Sequence, residues 1–235
     1  IRLFMRLLFT IFIFHYLIFG QNHDIYDRPF QKKPNFNIDV LHYDINLKIN
    51  DLQKTFFGKT SIKFKILKSE IDTVRFDSET YKVSLVNEKN LSIPYIQTDS
   101  SLIILPSKTL YKDEIIEYTI YYQSDGKIAN PANYNMGGVK VLGLGFFEES
   151  DYNPALVQTH SWPEGARHWF PSNDHPADKA TSKIVTTVRS DWKVLSNGSL
   201  IDVKSTDSGD SLTYTWQLDL PNSTYLYVMV AGPFE

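Results

Sequence analysis

The chain has 235 residues, of which 42% are hydrophobic and 14% aromatic. This is enough for one sizeable core, either as a single domain or as one domain behind a leader. The formal net charge of −3 gives no electrostatic basis for binding nucleic acid, and the absence of cysteine excludes disulfides, thiolate nucleophiles and cysteine-ligated zinc.

The first twenty residues have the composition of a secretory signal peptide. Met5 and Arg6 precede an almost uninterrupted apolar run over 7–19, and Gly20 comes before a polar stretch. We therefore predict a signal peptide over 1–20, with the start at Met5, and a secreted or periplasmic protein. The apolar run is too short for a comfortable membrane span. Cleavage of the signal peptide would leave the protein without a membrane span. If the leader is retained, it would anchor the protein to the membrane.

Residues 21–34 are polar and contain Pro29 and Pro34, which is typical of a flexible linker. We predict that one folded domain follows over 35–235.

From Asn35 onwards the chain has the period-two pattern of β-strands. Residues 43–49 alternate apolar with polar side chains, and residues 61–67 do so again. This pattern suits antiparallel strands, and short strands at regular spacing are typical of a β-sandwich or barrel. In addition to these two segments, strands are predicted over 73–76, 82–86, 102–105, 114–122, 139–147, 184–189, 193–196, 213–219 and 225–231.

The connections between these strands also have recognisable signals. Residues 124–145 are rich in glycine and asparagine and are predicted to form a long loop, without the strand-to-helix motif that phosphate binding needs. Asn197-Gly198 is predicted to be a hairpin turn, residues 207–210 a second turn, and residues 177–182 a short helical turn.

The segment 159–179, which reads THSWPEGARHWFPSNDHPADK, concentrates the chain's chemically active side chains. It holds three of the six histidines and two of the four tryptophans, together with Glu164, Arg167 and Asp174. Three prolines restrict its backbone and disfavour a regular element. Charged and aromatic groups on a rigid loop are typical of a recognition surface. The same composition also fits a corner that closes one end of a β-sandwich with Trp and Phe.

The spacing of residues in this segment resembles the aminopeptidase N family of zinc exopeptidases, which includes the leukotriene hydrolases. The resemblance is to the signature loop of that family's N-terminal β-domain. The matching residues are Thr159, Glu164, Arg167, Trp169, Phe170, Pro171, Asp174, Pro176, Lys179, Ala180 and Thr181. The segment 225–235 is similar to the last strand of that domain, so the resemblance covers residues 35–235. It implies an all-β fold, an antiparallel β-sandwich or saddle-shaped, multi-stranded sheets.

The resemblance implies a zinc-dependent peptidase whose metal site lies outside this chain. Such an enzyme needs His-Glu-x-x-His on a helix with a distant Glu as third ligand, and a Gly-x-Met-Glu-Asn segment that binds the substrate; neither motif occurs here. A nucleophile-elbow motif is absent as well. We therefore expect no catalytic residue, metal or other cofactor in this chain, and expect zinc in a catalytic domain that follows it.

The resemblance also implies roles within the loop. In the family, Gln-x-Glu or Gln-x-Gln at seven and five residues before the arginine helps to hold the substrate's α-amino group. Counting back from Arg167 places His160 and Trp162 at those positions. Trp162 cannot accept a hydrogen bond from an ammonium group, although its ring face can make a cation–π contact, and Glu164 carries a charge nearby. We predict His160, Trp162 and Glu164 as substrate-binding residues.

Other residues of the loop are predicted to be structural. Arg167 and Asp174 would pair and fix the shape of the loop, with direct substrate contact as the alternative. Trp169 and Phe170 would fill the end of the sandwich. His168 and His175 are expected to be surface or packing residues.

These observations lead to two functional hypotheses of different classes. The first is the N-terminal substrate-cleft domain of a secreted zinc aminopeptidase, present here as a fragment without the zinc site. Its partners would be the N-terminus of a peptide substrate and its own zinc domain. The second is a stand-alone, non-catalytic β-sandwich that binds peptides or a protein partner, for example by adding a strand to a sheet edge.

Overall fold

The computed structural model of this chain describes residues 35–124, 142–151 and 154–235. Within these ranges nearly all regular structure is β-strand, and the predicted all-β class is confirmed. The helical elements there are two 3-10 helices, Ala166–His168 and Thr224–Leu226. The predicted signal peptide and linker, and most of the predicted long loop over 124–145, lie outside the described residues.

The strands in chain order are β1 (Ile38–Asn50), β2 (Thr55–Ile66), β3 (Glu70–Ile71), β4 (Val74–Asp77), β5 (Tyr81–Glu88), β6 (Leu91–Ser92), β7 (Tyr95–Gln97), β8 (Ser101–Ile104), β9 (Leu110–Tyr111), β10 (Ile115–Ser124), β11 (Gly143–Phe147), β12 (Leu156–His160), β13 (Lys179–Arg189), β14 (Lys193–Ser196), β15 (Ser199–Ser205), β16 (Ser211–Ser223) and β17 (Met229–Gly232).

The largest sheet has eight strands in the order β15-β16-β13-β1-β2-β10-β5-β6. Its pairs are antiparallel except for β1 and β13, which run parallel with His42 opposite Thr181 and Lys48 opposite Thr187. The prediction of antiparallel pairing is wrong at this point. Parallel neighbours need a long connection between them, and here the chain passes through β2 to β12 before β13 returns to β1.

Three smaller sheets complete the fold: β11-β12-β17-β14, β4-β8-β7 and β3-β9. Side chains of the eight-stranded sheet meet them in the core. The ring of Tyr43 on β1 packs edge-on against Tyr227 beside β17, with centroids 6.0 Å apart, and Phe64 on β2 packs against Phe76 on β4 at 5.6 Å. The core therefore lies between one face of the large sheet and the smaller sheets.

The alternating sequence pattern explains which face is buried. On β1, Tyr43, Ile45 and Leu47 lie in the core, whereas Asn46 and Lys48 point to the other face. Burying one such apolar side chain contributes about 1.5–3 kcal/mol. Strand pairing in this sheet is thereby fixed in register, because a shift by one residue would bring the polar set into the core.

The Asn197-Gly198 turn joins two different sheets, so the predicted hairpin is wrong. β14 pairs with β17, whereas β15 pairs with β16. The sharp turn itself is present, since Gly198 has φ +88°. The Asn197 side chain stabilises the backbone at this turn: its Nδ2 donates to Leu226 O at 3.1 Å, and its Oδ1 accepts the Val228 N–H at 2.7 Å.

The predicted helical turn over 177–182 is also wrong. The strand β13 begins at Lys179 and pairs with β16 as well as β1, so ladder hydrogen bonds on two sides outweigh local preference. Only a turn closed by the Asp178 N–H and His175 O precedes it. The predicted strand 225–231 is shorter, because the 3-10 helix Thr224–Leu226 occupies its start.

The predicted turn at 207–210 is present and joins β15 to β16, with Gly209 at φ +75°. The strand β15 was not expected. Most of its side chains are exposed, so it lacks the apolar alternation that reveals a strand in sequence.

Replacing Gly198 with alanine should lower the free energy of unfolding by about 2–4 kcal/mol. The new Cβ would lie 2.0 Å from Gln217 O, and the backbone would have to keep its positive φ. Gly209→Ala is the matched control, because φ is also positive there but no atom lies within 4 Å of the new Cβ. It should cost only about 1 kcal/mol. Urea unfolding of both variants measures the difference, and equal losses would contradict the role of crowding at residue 198.

Candidate functional site

The segment between β12 and β13, residues 161–178, contains the candidate site and is called the proline loop below. Ser161 fixes its start. The Ser161 hydroxyl donates to Tyr227 O at 2.6 Å and accepts the indole N–H of Trp169 at 3.0 Å. A buried N–H without a partner is costly, so this hydroxyl stabilises the position of Trp169 as well as the path of the backbone.

The proline loop turns back on itself at Gly165. The Gly165 N–H donates to Ser161 O at 2.6 Å, and a Cβ on this residue would lie 2.0 Å from His160 O. Only glycine fits so close to the backbone. The preceding Trp162–Pro163 peptide bond is cis.

Arg167 and Asp174 are in direct contact at the centre of the proline loop. Arg167 Nε lies 3.1 Å from Asp174 Oδ2, and the Arg167 backbone N–H donates to the same oxygen at 3.3 Å. Arg167 Nη2 also donates to Asp174 O at 3.2 Å, and the Thr224 hydroxyl donates to Asp174 Oδ1 at 2.7 Å. The two residues are only 7% and 4% exposed. The pair therefore joins the two halves of the loop in a poorly hydrated place.

More carboxylates surround the Arg167 guanidinium. Glu164, Glu79 and Asp77 place oxygens 3.6, 3.8 and 3.9 Å from its nitrogens. Burial alone would lower the pKa of Arg167, but Asp174, Asp77 and Glu164 outweigh burial and raise it. Burial raises the pKa of Asp174, whereas Arg167 and the Thr224 hydroxyl oppose that rise.

A second connection holds the proline loop to the end of β4. Asp77 and Ser172 exchange backbone hydrogen bonds of 2.7 and 3.1 Å. The Asp174 N–H donates to Asp77 Oδ2 at 3.1 Å, and the Glu79 N–H donates to Arg167 O at 2.9 Å. Every one of these contacts joins residues far apart in sequence, so sequence spacing gave no indication of Asp77 or Glu79.

Trp169 and Phe170 lie in the core and are both 0% exposed. The ring of Phe170 packs edge-on against Tyr43 at 5.3 Å and stacks on Tyr227 at 6.0 Å. The Trp169 ring lies 4.5 Å from that of Phe170. These aromatic side chains attach the proline loop to β1 and to the segment before β17.

The end of the proline loop depends on Asp178. Its carboxylate accepts the Val40 N–H at 3.1 and 3.3 Å, and Asn173 Nδ2 at 2.5 Å. The Asn173 N–H in turn donates to the Tyr43 hydroxyl at 3.0 Å. Burial raises the pKa of Asp178 to about 6, although the hydrogen bonds from Asn173 and Val40 oppose it. Sequence reasoning did not single out Asp178 or Asn173.

The three residues predicted to bind substrate lie in the first part of the loop but differ in exposure. Trp162 is 40% exposed, whereas Glu164 is largely buried and faces Arg167. His160, at the end of β12, is partly buried, and its Nε2 atom is buried without a hydrogen-bond partner among the described residues. Of these three residues, Trp162 is therefore the one that is exposed at the surface.

The remaining histidines of the segment have structural contacts. His168 is largely buried, and its backbone oxygen accepts a hydrogen bond from the Thr80 hydroxyl at 3.1 Å. Burial, and then the charge of Arg167, lower the pKa of His168 to about 4, so its ring is neutral at pH 7. His175 Nδ1 accepts the Ala177 N–H at 3.1 Å. Over residues 35–124, 142–151 and 154–235, no cluster of three or more His, Asp or Glu is arranged to hold a metal.

Replacing Asp174 with asparagine should cost about 3 kcal/mol of unfolding free energy. The change removes the nearest of the carboxylates around a buried guanidinium, and breaking a buried ion pair on one side costs about 3–5 kcal/mol. Asp202→Asn is the control, since Asp202 pairs with Lys204 at the surface and such pairs contribute about 0–1 kcal/mol. Chemical unfolding followed by tryptophan fluorescence gives both values. Similar losses in the two variants would show that the buried pair is not a major stabilising contact.

The carboxyl of Asp178 should make the chain relatively more stable in mild acid than at neutral pH. Its folded-state pKa of about 6 exceeds the ordinary 3.8, so between these values the folded state holds a proton that the unfolded state releases. Its contribution to the free energy of unfolding therefore falls as pH rises through this window, by up to about 3 kcal/mol.

The variant Asp178→Asn isolates this effect. The difference in unfolding free energy, wild type minus variant, should be larger at about pH 4.5 than at about pH 7. Effects of pH on the rest of the chain cancel in the difference. A difference that stays constant over this range would contradict the raised pKa.

Comparison with known proteins shows which protein family has this architecture. The family model described as the Peptidase M1 N-terminal domain matches residues 39–226. Probable aminopeptidase 2 of Sulfurisphaera tokodaii is 30% identical over 172 residues, which cover 73% of this chain and 20% of that protein. Aminopeptidase M1 of Arabidopsis thaliana is 26% identical, with 82% of this chain and 22% of that protein covered.

Solved structures show the same fold. An M1 zinc metallopeptidase of Deinococcus radiodurans bound to a Tyr-Ser-Ala substrate has a TM-score of 0.75 at 21% identity, over 89% of this chain and 45% of that one. Aminopeptidase A of Legionella pneumophila in complex with aspartic acid has a TM-score of 0.70 at 21% identity, over 87% of this chain and 22% of that one. The chain thus spans less than half the length of these relatives. Because the family model matches most of its residues, the chain belongs to the Peptidase M1 N-terminal domain family.

Proposed function

We propose that this domain forms one wall of the substrate cleft of an exported zinc aminopeptidase, and that its proline loop contacts the N-terminal end of a peptide substrate. Family membership supports the enzyme class, and the relatives named above are aminopeptidases and metallopeptidases. The described residues offer no metal-binding cluster. Zinc and the bond-breaking groups would belong to a catalytic domain, which is the partner of this domain in the whole enzyme.

The exposure of Trp162 carries the proposal. Its neighbours Trp169 and Phe170 are fully buried in the same loop, and Arg167 and Asp174 hold the loop rigid from inside, yet Trp162 keeps 40% of its surface in solvent. A large aromatic side chain on a rigid loop is a typical contact residue, because it offers contact area at little cost in entropy.

The chemistry around Trp162 suits a free amino terminus. An ammonium group can lie over the face of an indole ring, a contact that contributes about 0.5–2 kcal/mol. Glu164, two residues further along the loop, adds negative charge, and its position is set by Arg167 Nη2, which lies 3.6 Å from Glu164 Oε1. His160 lies two residues before Trp162, and its buried Nε2 has no hydrogen-bond partner among the described residues, so a rotation of the ring would let it bond to a bound peptide. These three residues would orient the substrate and take no part in bond cleavage.

Export is the second part of the proposal. It rests on the cationic and apolar composition of residues 1–20, which matches a signal peptide. Among the described residues, no helix is long and apolar enough to cross a membrane.

A chimeric enzyme tests the role of the loop. Residues 35–235 would replace the corresponding domain of the Deinococcus radiodurans metallopeptidase, and hydrolysis of amino-acid p-nitroanilides would be measured. Trp162→Ala should lower kcat/KM about tenfold, mainly by raising KM, because it removes roughly 1–2 kcal/mol of binding to the amino terminus. Leu52→Ala is the control, since Leu52 is an exposed apolar residue on the β1–β2 turn.

A folded chimera whose kinetics are unchanged by Trp162→Ala would contradict the proposal. The stand-alone binding domain is the competing function. It would be favoured if the isolated chain binds peptides with the same affinity whether or not their amino terminus is acetylated, since capture of a free terminus requires the ammonium group.

A further inference from the structure

The face of the eight-stranded sheet that points away from the core carries a groove of about 360 Å³, which we call the outer groove. Strand register places two rows of side chains across it. The first row is Thr187, Lys48, Phe57 and Gln123, and the second is Val185, Asn46, Lys59 and Tyr121.

The outer groove is basic although the chain as a whole has a net charge of −3. Lys48 and Lys59 line it, and Lys82 lies next to Gln123 at the end of the first row. Among the described residues, none of these lysines forms an ion pair and no carboxylate lines the groove. Asp44, in the next row, is paired with Lys183 and also accepts the side-chain amide of Asn46 at 2.8 Å. The described residues that line the groove therefore include lysines and no acidic side chain.

The same surface is aromatic and rich in uncharged hydrogen-bonding groups. Phe57 lies on β2, an interior strand between β1 and β10, and its side chain is 53% exposed. The Lys59 ammonium lies 5.8 Å from the centre of the Tyr121 ring. Gln123 adds an amide group. Asn46 adds an amide whose nitrogen already donates to Asp44 at 2.8 Å, and Thr187 adds a hydroxyl that already bonds to Thr213 at 2.8 Å. A ligand that matches this surface carries negative charge, hydroxyl groups and a flat apolar face.

We propose that the outer groove binds an acidic oligosaccharide, a chain of sugar rings bearing carboxylates, such as a uronate polymer. The C–H face of one ring packs on Phe57, while carboxylates meet Lys48 and Lys59 and hydroxyls bond to the amide groups. Lys48 and Lys82 stand three strands apart, roughly 14 Å at the usual strand spacing of about 4.8 Å. An extended anionic polymer laid across the strands therefore meets more than one lysine.

The position of the outer groove disfavours a peptide. Peptides that bind sheets usually add a strand at an edge, where backbone N–H and C=O groups are unpaired. Here β13, β1, β2 and β10 are interior strands whose backbones pair on both sides. A ligand can reach only side chains. The proline loop packs on the opposite face of the sheet, through Phe170 against Tyr43, so this site is separate from the proposed peptide contact. Its role would be to hold the protein at an acidic polysaccharide.

Affinity electrophoresis of the purified chain in gels that contain polygalacturonate tests the proposal. The wild type should be retarded, and Lys48→Gln combined with Lys59→Gln should weaken binding about tenfold, since two exposed ion pairs are lost. Lys68→Gln combined with Lys193→Gln is the control, because it makes the same charge change at exposed lysines outside the groove. The control should be retarded like the wild type. Phe57→Ala should also weaken binding and would separate a ring contact from charge alone.

Several outcomes would overturn the proposal. These are no retardation of the wild type, equal loss in the control double variant, or unchanged binding of Phe57→Ala. Equal retardation in poly-glutamate gels would show that the groove takes any polyanion. Binding to vesicles with anionic phospholipid but not to polygalacturonate would assign the groove to a lipid surface. None of these results depends on peptidase activity, so the outcome is independent of the function proposed for the loop.

Discussion

The buried contact between Arg167 and Asp174 is the interaction on which the rest of the site depends. A guanidinium in the protein interior needs a nearby negative charge, because desolvation otherwise opposes its ionised form. Here Asp174 provides that charge, Glu164 adds to it from the same loop, and Asp77 and Glu79 approach from β4 and the segment after it. One cation therefore brings together β4, the 3-10 helix that contains it and the far end of the proline loop. The shape of the loop is a consequence of electrostatics in a place with little water.

The two faces of the eight-stranded sheet have different roles. The inner face carries aromatic side chains that attach the proline loop, with Phe170 between Tyr43 and Tyr227. The outer face carries lysines, amides and the exposed ring of Phe57. This division follows from the period of two in a strand, since every residue added to one face adds a residue to the other. A single sheet can thus support a buried site and an independent surface.

Much of the fold is predictable from sequence, because alternation such as that of 43–49 reports burial directly. The parallel pairing of β1 with β13 is not, because no local pattern records which distant strand becomes a neighbour. The same limit applies to the site. The motif spacing identified Arg167 and Asp174, but Asp77, Thr224 and Val40 join the network from 50 to 138 residues away. Asn197-Gly198 shows a further limit: the turn was recognised correctly, yet the strands it connects belong to different sheets.

The long interval between β1 and β13 also has a consequence for the order of folding. Contacts between residues so distant in sequence carry a large loop-closure entropy and tend to form late. The Val40 N–H and the Tyr43 hydroxyl reach Asp178 and Asn173 only across this pair of strands. The proline loop therefore cannot acquire its native contacts before the two halves of the chain have closed on each other. A nascent or partly unfolded chain has no assembled proline loop, and the loop takes its native shape only when the sheet is complete.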